Sequence, residues 1–176
     1  MTIRNAKPGE GEAVLDFYHR LIDLLRDKPW RPTWIKGVYP TRADLDRAIE
    51  EERLLVALDE AGAVMGAVIR TKQQGEGYEK AAWQIPAEPE QVTVIHLLAA
   101  DPLRHRQGIG TGLLERVRDL ARAEGDRVIR LDVLPWNAPA RGLYERFGFR
   151  FCGEVPLDYP STGAIPFCMY EYDLRP

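Results

Sequence analysis

Arg104-His105-Arg106-Gln107-Gly108-Ile109-Gly110-Thr111-Gly112 is a basic loop that runs into a helix opened by glycines. It follows the apolar run Val92 to Ala100, and the helical pattern begins near Gly110. Glycine lets a backbone approach a bulky anion because no Cβ intervenes. The first N–H groups of a helix lack intrahelical acceptors, and the helix dipole favours negative charge there. With the cations Arg104 and Arg106, the stretch reads as a cradle for a phosphate or pyrophosphate.

Three phosphate ligands compete for it. A P-loop requires Gly-Lys-Ser/Thr after four intervening residues, and no such lysine is present. A dinucleotide fingerprint finds its first two glycines in Gly108 and Gly110, and Asp132 stands near a suitable distance for a ribose contact. Its third glycine position, however, is Leu113, and the strand ends near Ala100, too far upstream for a tight turn at Gly108. The third reading starts from Ala99-Ala100-Asp101-Pro102-Leu103 leading into Arg104–Gly110, and from a second block, Asn137-Ala138-Pro139-Ala140-Arg141-Gly142-Leu143-Tyr144-Glu145-Arg146-Phe147-Gly148-Phe149. Together these resemble the cofactor loop and the Asn…Ala…Leu-Tyr-Glu-x-x-Gly-Phe signature of the GCN5-related N-acetyltransferase (GNAT) family. His105 departs from the family pattern, which has Arg or Gln there. The resemblance runs from about Thr2 to Leu174 and is strongest between Val92 and Phe151.

Composition narrows the classes independently. The 176 residues fit one domain spanning 1–176 with a substantial core. A formal charge of −3 lacks the basic balance of a general nucleic-acid binder. Cys152 and Cys168 lie in strand-like apolar surroundings and read as buried thiols. His19, His96 and His105 are too scattered to complete a zinc site with them. The N-terminal residues carry no signal-like apolar segment, and no apolar run is long enough to span a bilayer, so the expectation is a cytoplasmic protein without a membrane partner.

The periodicities give the order of elements. Thr2–Ala6 reads as a strand stopped by Pro8-Gly9, and residues 10–26 as a helix with a wide apolar face. Thr41 with Asp44 resembles a capping box opening a second helix to about Glu52. Residues 54–58 and 64–70 form a hairpin around Asp59-Glu60-Ala61-Gly62. Residues 73–91 are polar and long for a hairpin connection. Val92–Ala100 reads as a buried strand, Gly110–Glu124 as a helix and Val128–Leu134 as the next strand. This βαβ unit makes the two strands parallel. Residues 138–147 form a short helix, and residues 149–155 and 167–174 the last two strands. The order matches the α/β fold that the resemblance implies. That fold is a GNAT-type acyl-CoA N-acyltransferase, with a mixed, mostly antiparallel sheet, a central splayed parallel strand pair and helices on both faces.

The resemblance also implies a chemistry: acetyl transfer from acetyl-CoA to a primary amine, by direct attack in a ternary complex. Its cofactor contacts fall on Leu98, Ala99, Ala100, Arg104, His105, Arg106, Gln107, Gly108, Ile109, Gly110, Thr111, Gly112, Asn137 and Tyr144. A backbone N–H near Leu98 or Ala99 is the expected donor to the oxyanion. Tyr144 stands at the family's general-acid position, although Ala140, Leu143, Tyr144 and Phe147 also share a helical face that burial alone would explain. The family's glutamate base often lies near Val94, which is apolar here. His96 falls two residues along, and because alternate strand residues share a face it points with Val94 and Leu98. Its unperturbed pKa of about 6.5 suits proton acceptance. Asn137 reads as a cofactor contact and as a helix N-cap. The acceptor pocket falls on Trp30, Arg31, Trp34 and Tyr39, with Asp158 and Tyr159 in the loop between the last strands. Aromatic rings and a carboxylate there suit a cationic small-molecule or peptide amine. A non-catalytic acyl-CoA-binding module of the same fold is the competing expectation, and the family also allows a homodimer.

Overall fold

The computed structural model describes residues 1–104 and 106–175. Eleven main elements follow in chain order: β1 (Thr2–Asn5), α1 (Gly11–Leu25), α2 (Arg42–Glu50), β2 (Leu54–Leu58), β3 (Val64–Thr71), β4 (Val92–Ala100), α3 (Ile109–Ala123), β5 (Val128–Val133), α4 (Ala138–Phe147), β6 (Arg150–Tyr159) and β7 (Gly163–Asp173). The strand order is β1-β2-β3-β4-β5-β7-β6. The β4–β5 pair is parallel, as the βαβ spacing predicts, whereas β1–β2, β2–β3, β5–β7 and β6–β7 are antiparallel. The chain divides into two compact units, Met1–Ile69 with Leu97–Arg116, and Arg70–His96 with Val117 onward.

In the first unit, Val14, Phe17, Tyr18 and Leu21 of α1 and Leu45, Ala48 and Ile49 of α2 bury against Leu54, Val56, Ala67 and Ile69 of the strands. Neighbouring strand residues point to opposite faces. Gly66 therefore faces away from Ala67, and there α3 begins. A Cβ at Gly66 would lie 2.6 Å from Ile109 Cγ2 and 2.9 Å from the Ala99 carbonyl oxygen. Only glycine lets the start of α3 come this close to the sheet. The capping box of α2 forms as expected, with the Asp44 N–H donating to Thr41 Oγ1 and the Thr41 N–H to the Asp44 carboxylate.

In the second unit, β5 and β7 carry two distinct faces. Tyr170 and Tyr172 meet α4, with the Phe147 ring 5.4 Å from Tyr172. Arg130 and Glu171, paired in register, face the 73–91 segment. That segment contains two 3-10 turns, Tyr78–Lys80 and Pro89–Gln91. Arg130 donates to Gln74 Oε1 (2.8 Å) and the Ile85 carbonyl (2.9 Å), and its guanidinium lies 4.5 Å from the Trp83 ring. Fully buried Glu171 accepts from the Gln84 N–H at 2.7 Å. The long connection is therefore an anchored, packed part of this unit.

Two sequence expectations need correction. The final strands are longer than residues 149–155 and 167–174, and Asp158 and Tyr159 lie in β6 instead of a loop. Pro156 and Pro166, which stand opposite each other, obscured this. Proline removes a ladder donor and is tolerated at sheet edges, where β6 lies. The regular alternation assumed for His96 and Leu98 also fails. Leu97 has a left-handed backbone (φ 54°), which interrupts the pleat between them.

Candidate active site

Four residues of β4 pair with β5, from Val92↔Val128 to Ile95↔Leu131, and the pairing stops there. β5 continues on its other edge with β7 as far as Val133↔Cys168. The parallel pair is thus released immediately before the left-handed Leu97, which frees the following N–H groups from that ladder. In the first unit, the fully buried Tyr18 donates its hydroxyl to the Leu97 carbonyl at 2.7 Å.

Beyond β4 the chain turns over Asp101, whose Oδ1 accepts the Leu103 N–H and whose own N–H reaches the Met65 carbonyl. Arg104 donates to Asp59 at 2.8 Å, so its charge is already engaged by the β2–β3 turn. Its role is to tether the loop, in addition to or in place of the phosphate contact the sequence suggests. His105 lies outside the described residues. Arg106 (φ 59°) and Gly108 (φ 70°) both adopt the left-handed conformation. Arg106, Gln107, Gly108 and Thr111 are exposed. The Gly112 N–H donates to the Gly108 carbonyl, which closes the first helical turn of α3. The N–H groups of Ile109, Gly110 and Thr111 precede that first bond and are the unpaired donors of a helix start. An exposed, glycine-bent backbone ahead of a 15-residue helix fits a pyrophosphate. Gly112 serves packing instead, because a Cβ there would stand 2.7 Å from Ile3.

The second unit holds His96, Asn137, Tyr144, Asp158 and Tyr159, whereas Trp30, Arg31, Trp34 and Tyr39 belong to the first. Asn137 caps α4, accepting the Ala140 N–H at 3.3 Å. Tyr144 is buried, with Phe149 and Tyr170 rings at 5.6 and 6.2 Å. Burial, and then the negative charge of Asp132, push its pKa upward, so it keeps its proton at neutral pH. Tyr170 donates to Glu145 and accepts from Arg141, which ties α4 to β7. Asp132, which the sequence suggested only for a ribose contact, stands instead at the centre of a hydrogen-bond cluster. Its Oδ1 accepts two hydroxyls, Tyr78 at 2.6 Å and Tyr159 at 3.1 Å. The sequence did hold a signal, since Arg130 and Asp132 are polar residues at alternate positions of an apolar strand. Tyr78 also lines a cavity of about 490 Å³ bounded by Gln74, Glu76, Glu79, Trp83 and Arg130. Asp158 is exposed on β6, and His96 is half-buried. In the first unit, Trp34 packs edge-on to Tyr18 at 5.3 Å, and Trp30 and Tyr39 are exposed.

Burial holds both thiols protonated, with the Cys152 pKa pushed up to about 12 and that of Cys168 also raised. Neither suits a nucleophile. Among the described residues there is no cluster of metal-ligating side chains, and no helix is long and apolar enough to cross a membrane.

Residues 19–149 match the model of the Acetyltransferase (GNAT) family. The chain belongs to that family. A streptothricin acetyltransferase from Streptomyces lavendulae is 30% identical over 92% of this chain and 87% of its own length. An L-methionine sulfoximine/L-methionine sulfone acetyltransferase from Pseudomonas aeruginosa is 29% identical over 77% of this chain, and the match spans 64% of that relative. The same fold occurs in the Salmonella typhimurium protein yncA, solved with its cofactor acetyl-CoA. There the TM-score is 0.72, at 19% identity, and the match covers 100% of this chain and 95% of that one.

Proposed function

We propose that this GNAT chain is, over its whole length, one acyltransferase domain that moves an acetyl group from acetyl-CoA to the primary amine of a small molecule or peptide. The observation that carries the acceptor side is the Asp132 carboxylate, shared by Tyr78 and Tyr159 beside Tyr144. Glu76 and Glu79 around the adjoining cavity suit a cationic amine, whereas the Trp83 ring already carries the Arg130 guanidinium. Acetyl-CoA supplies the activated thioester. The backbone of Arg106 to Thr111 holds the pyrophosphate, and the Leu98 N–H, with Ala99 beside it, donates to the thioester oxygen as negative charge develops there. Asp132 anchors the ammonium and accepts its proton, directly or through water, with His96 as the second candidate base. Tyr144 gives its proton to the departing sulfur. The low intrinsic basicity of a thiolate (a free thiol has a pKa of about 8.5) makes that help useful without being indispensable. The named activities of the relatives point to amino-acid-like and antibiotic amines as the first acceptors to try. A cytoplasmic setting accords with this chemistry.

Calorimetric titration with acetyl-CoA, CoA and NAD tests the cofactor assignment, followed by thiol-release assays across an amine panel. Tight binding of acetyl-CoA and CoA but not NAD, with CoA released only when an amine is present, is the expected result. Lack of acetyl-CoA binding overturns the assignment. Binding without release across the panel favours a non-catalytic module.

A further inference from the structure

The geometry points to Tyr18 as a positioning residue for the oxyanion donor: its hydroxyl, by holding the Leu97 carbonyl, sets the direction of the Leu98 N–H. The inference rests on the acetyltransferase reading and adds a residue to it. A peptide unit is planar and trans, so the carbonyl of Leu97 and the N–H of Leu98 point in opposite directions within one rigid plane. Whatever fixes the first fixes the second.

This peptide needs fixing. It follows a leucine held at φ 54°, a conformation that L residues other than asparagine and aspartate rarely adopt. Its strand has parted from β5 two residues earlier, after Ile95↔Leu131. Concerted rotation of the torsions on either side of the plane would relieve strain and turn the N–H away. Tyr18 opposes that rotation. Its side chain is fully buried, and its ring makes edge-on contacts with Phe17 and Trp34, each 5.3 Å away. Its hydroxyl lies 2.7 Å from the Leu97 oxygen. Burial raises its pKa well above the usual phenol range, so the donor proton is always present. The contact spans 79 residues of sequence, from the middle of α1 to the break in β4. A tyrosine used only to fill the core would not need its oxygen at this backbone atom.

The test is Tyr18→Phe, which deletes the hydroxyl and keeps the ring. Val14→Ala, in the same core, serves as a stability control. Two readouts are taken below both unfolding temperatures: steady-state kinetics, and the carbonyl stretch of acetyl-CoA labelled with carbon-13 at the acetyl carbonyl. In the wild type, hydrogen bonding should lower that stretch relative to free acetyl-CoA. In Tyr18→Phe the band should return toward the free value. The kcat should fall roughly tenfold or more, because losing an oxyanion donor outright costs about 100- to 1,000-fold and here it is misdirected instead. KM for acetyl-CoA should stay within about twofold, since the pyrophosphate contacts are untouched. Val14→Ala should keep both band and kcat. Replacing Tyr18 with 4-aminophenylalanine, which retains a donor in place, should restore both. A wild-type band and kcat in Tyr18→Phe, or an equal loss in Val14→Ala, overturns the role of Tyr18 alone. A wild type that binds acetyl-CoA without lowering the stretch removes the β4 donor, and the role of Tyr18 with it. A wild type that fails to bind acetyl-CoA overturns the parent reading as well.

Discussion

In the proposed reaction Tyr144 and Asp132 divide the proton traffic by their surroundings. The tyrosine is buried and feels a nearby carboxylate, so it stays protonated and suits donation. The carboxylate already accepts two phenolic hydroxyls at one oxygen. Tyr144→Phe should therefore lower kcat by about 100-fold, a usual contribution of a general acid, while calorimetric affinity for acetyl-CoA changes little. Asp132→Asn keeps the shape but removes the charge that holds an ammonium. It should raise KM for the acceptor and lower kcat together. If kcat survives in Asp132→Asn and collapses in His96→Gln, the base is the histidine. Tyr144 was legible in the sequence because a signature surrounds it, and Asn137 because asparagine favours the cap it occupies. Tyr18 was legible only as one more residue on the apolar face of the first helix. Its partner is a backbone carbonyl, and no side-chain pattern records a left-handed residue within a strand. Asp132 left the faint trace of polar alternation, but its two tyrosine partners come from segments far away in sequence.

The elements flanking the proposed cofactor loop meet in close packing at Gly66. Gly66 of β3 lies against Ile109 and the Ala99 carbonyl, so Gly66→Ala forces backbone or helix to move. Overpacking of this kind costs about 1–3 kcal/mol. Because the displaced part is the start of α3, the variant should lose acetyl-CoA affinity along with thermal stability. A drop in melting temperature with unchanged affinity would disconnect the two. The start of α1 depends on a different force. Arg4 donates to both oxygens of Glu10, at 2.9 and 2.6 Å, and the Lys7 N–H donates to the same carboxylate. The Arg4 guanidinium is the main reason the Glu10 pKa falls from 4.5 to about 2. A carboxyl with a depressed folded-state pKa contributes stability above its unfolded pKa and loses it as pH falls through the folded one. Wild type should thus exceed Glu10→Gln in melting temperature near neutral pH, and the gap should close between about pH 4.5 and 2. A gap independent of pH would mean that packing, not charge, is what Glu10 supplies. Elements with strong periodicity or caps were readable within a residue or two, as with Val92–Ala100 and the Thr41 capping box. The last hairpin was not, because Pro156 and Pro166 look like strand breakers until it is known that one lies on the edge strand and the other beyond the pairing of β7 with β5.

Taken whole, the chain has a net charge of −3, yet it presents an exposed, glycine-bent backbone ahead of α3. Affinity for an anion such as the CoA pyrophosphate must therefore come from local N–H groups and the helix dipole, not from the overall field. Such a site barely exists in the unfolded chain, so ligand binding should stabilise the fold by mass action. At a free ligand concentration 100 times Kd, the gain is about 2.7 kcal/mol. For a chain of this size, each kcal/mol raises the melting temperature by about 2–4 °C, so acetyl-CoA should raise it by roughly 5–11 °C. Free CoA should do nearly the same, because it keeps the pyrophosphate and lacks only the acetyl group. NAD also carries a pyrophosphate, but Leu113 fills the position where its binding loop needs a glycine, and it should leave the transition where it is. The shift should grow with the logarithm of ligand concentration above Kd and persist in Tyr144→Phe, whose lesion is in proton transfer. Equal shifts with acetyl-CoA and NAD would show that the loop reads any pyrophosphate, and specificity would then have to lie in the pantetheine arm.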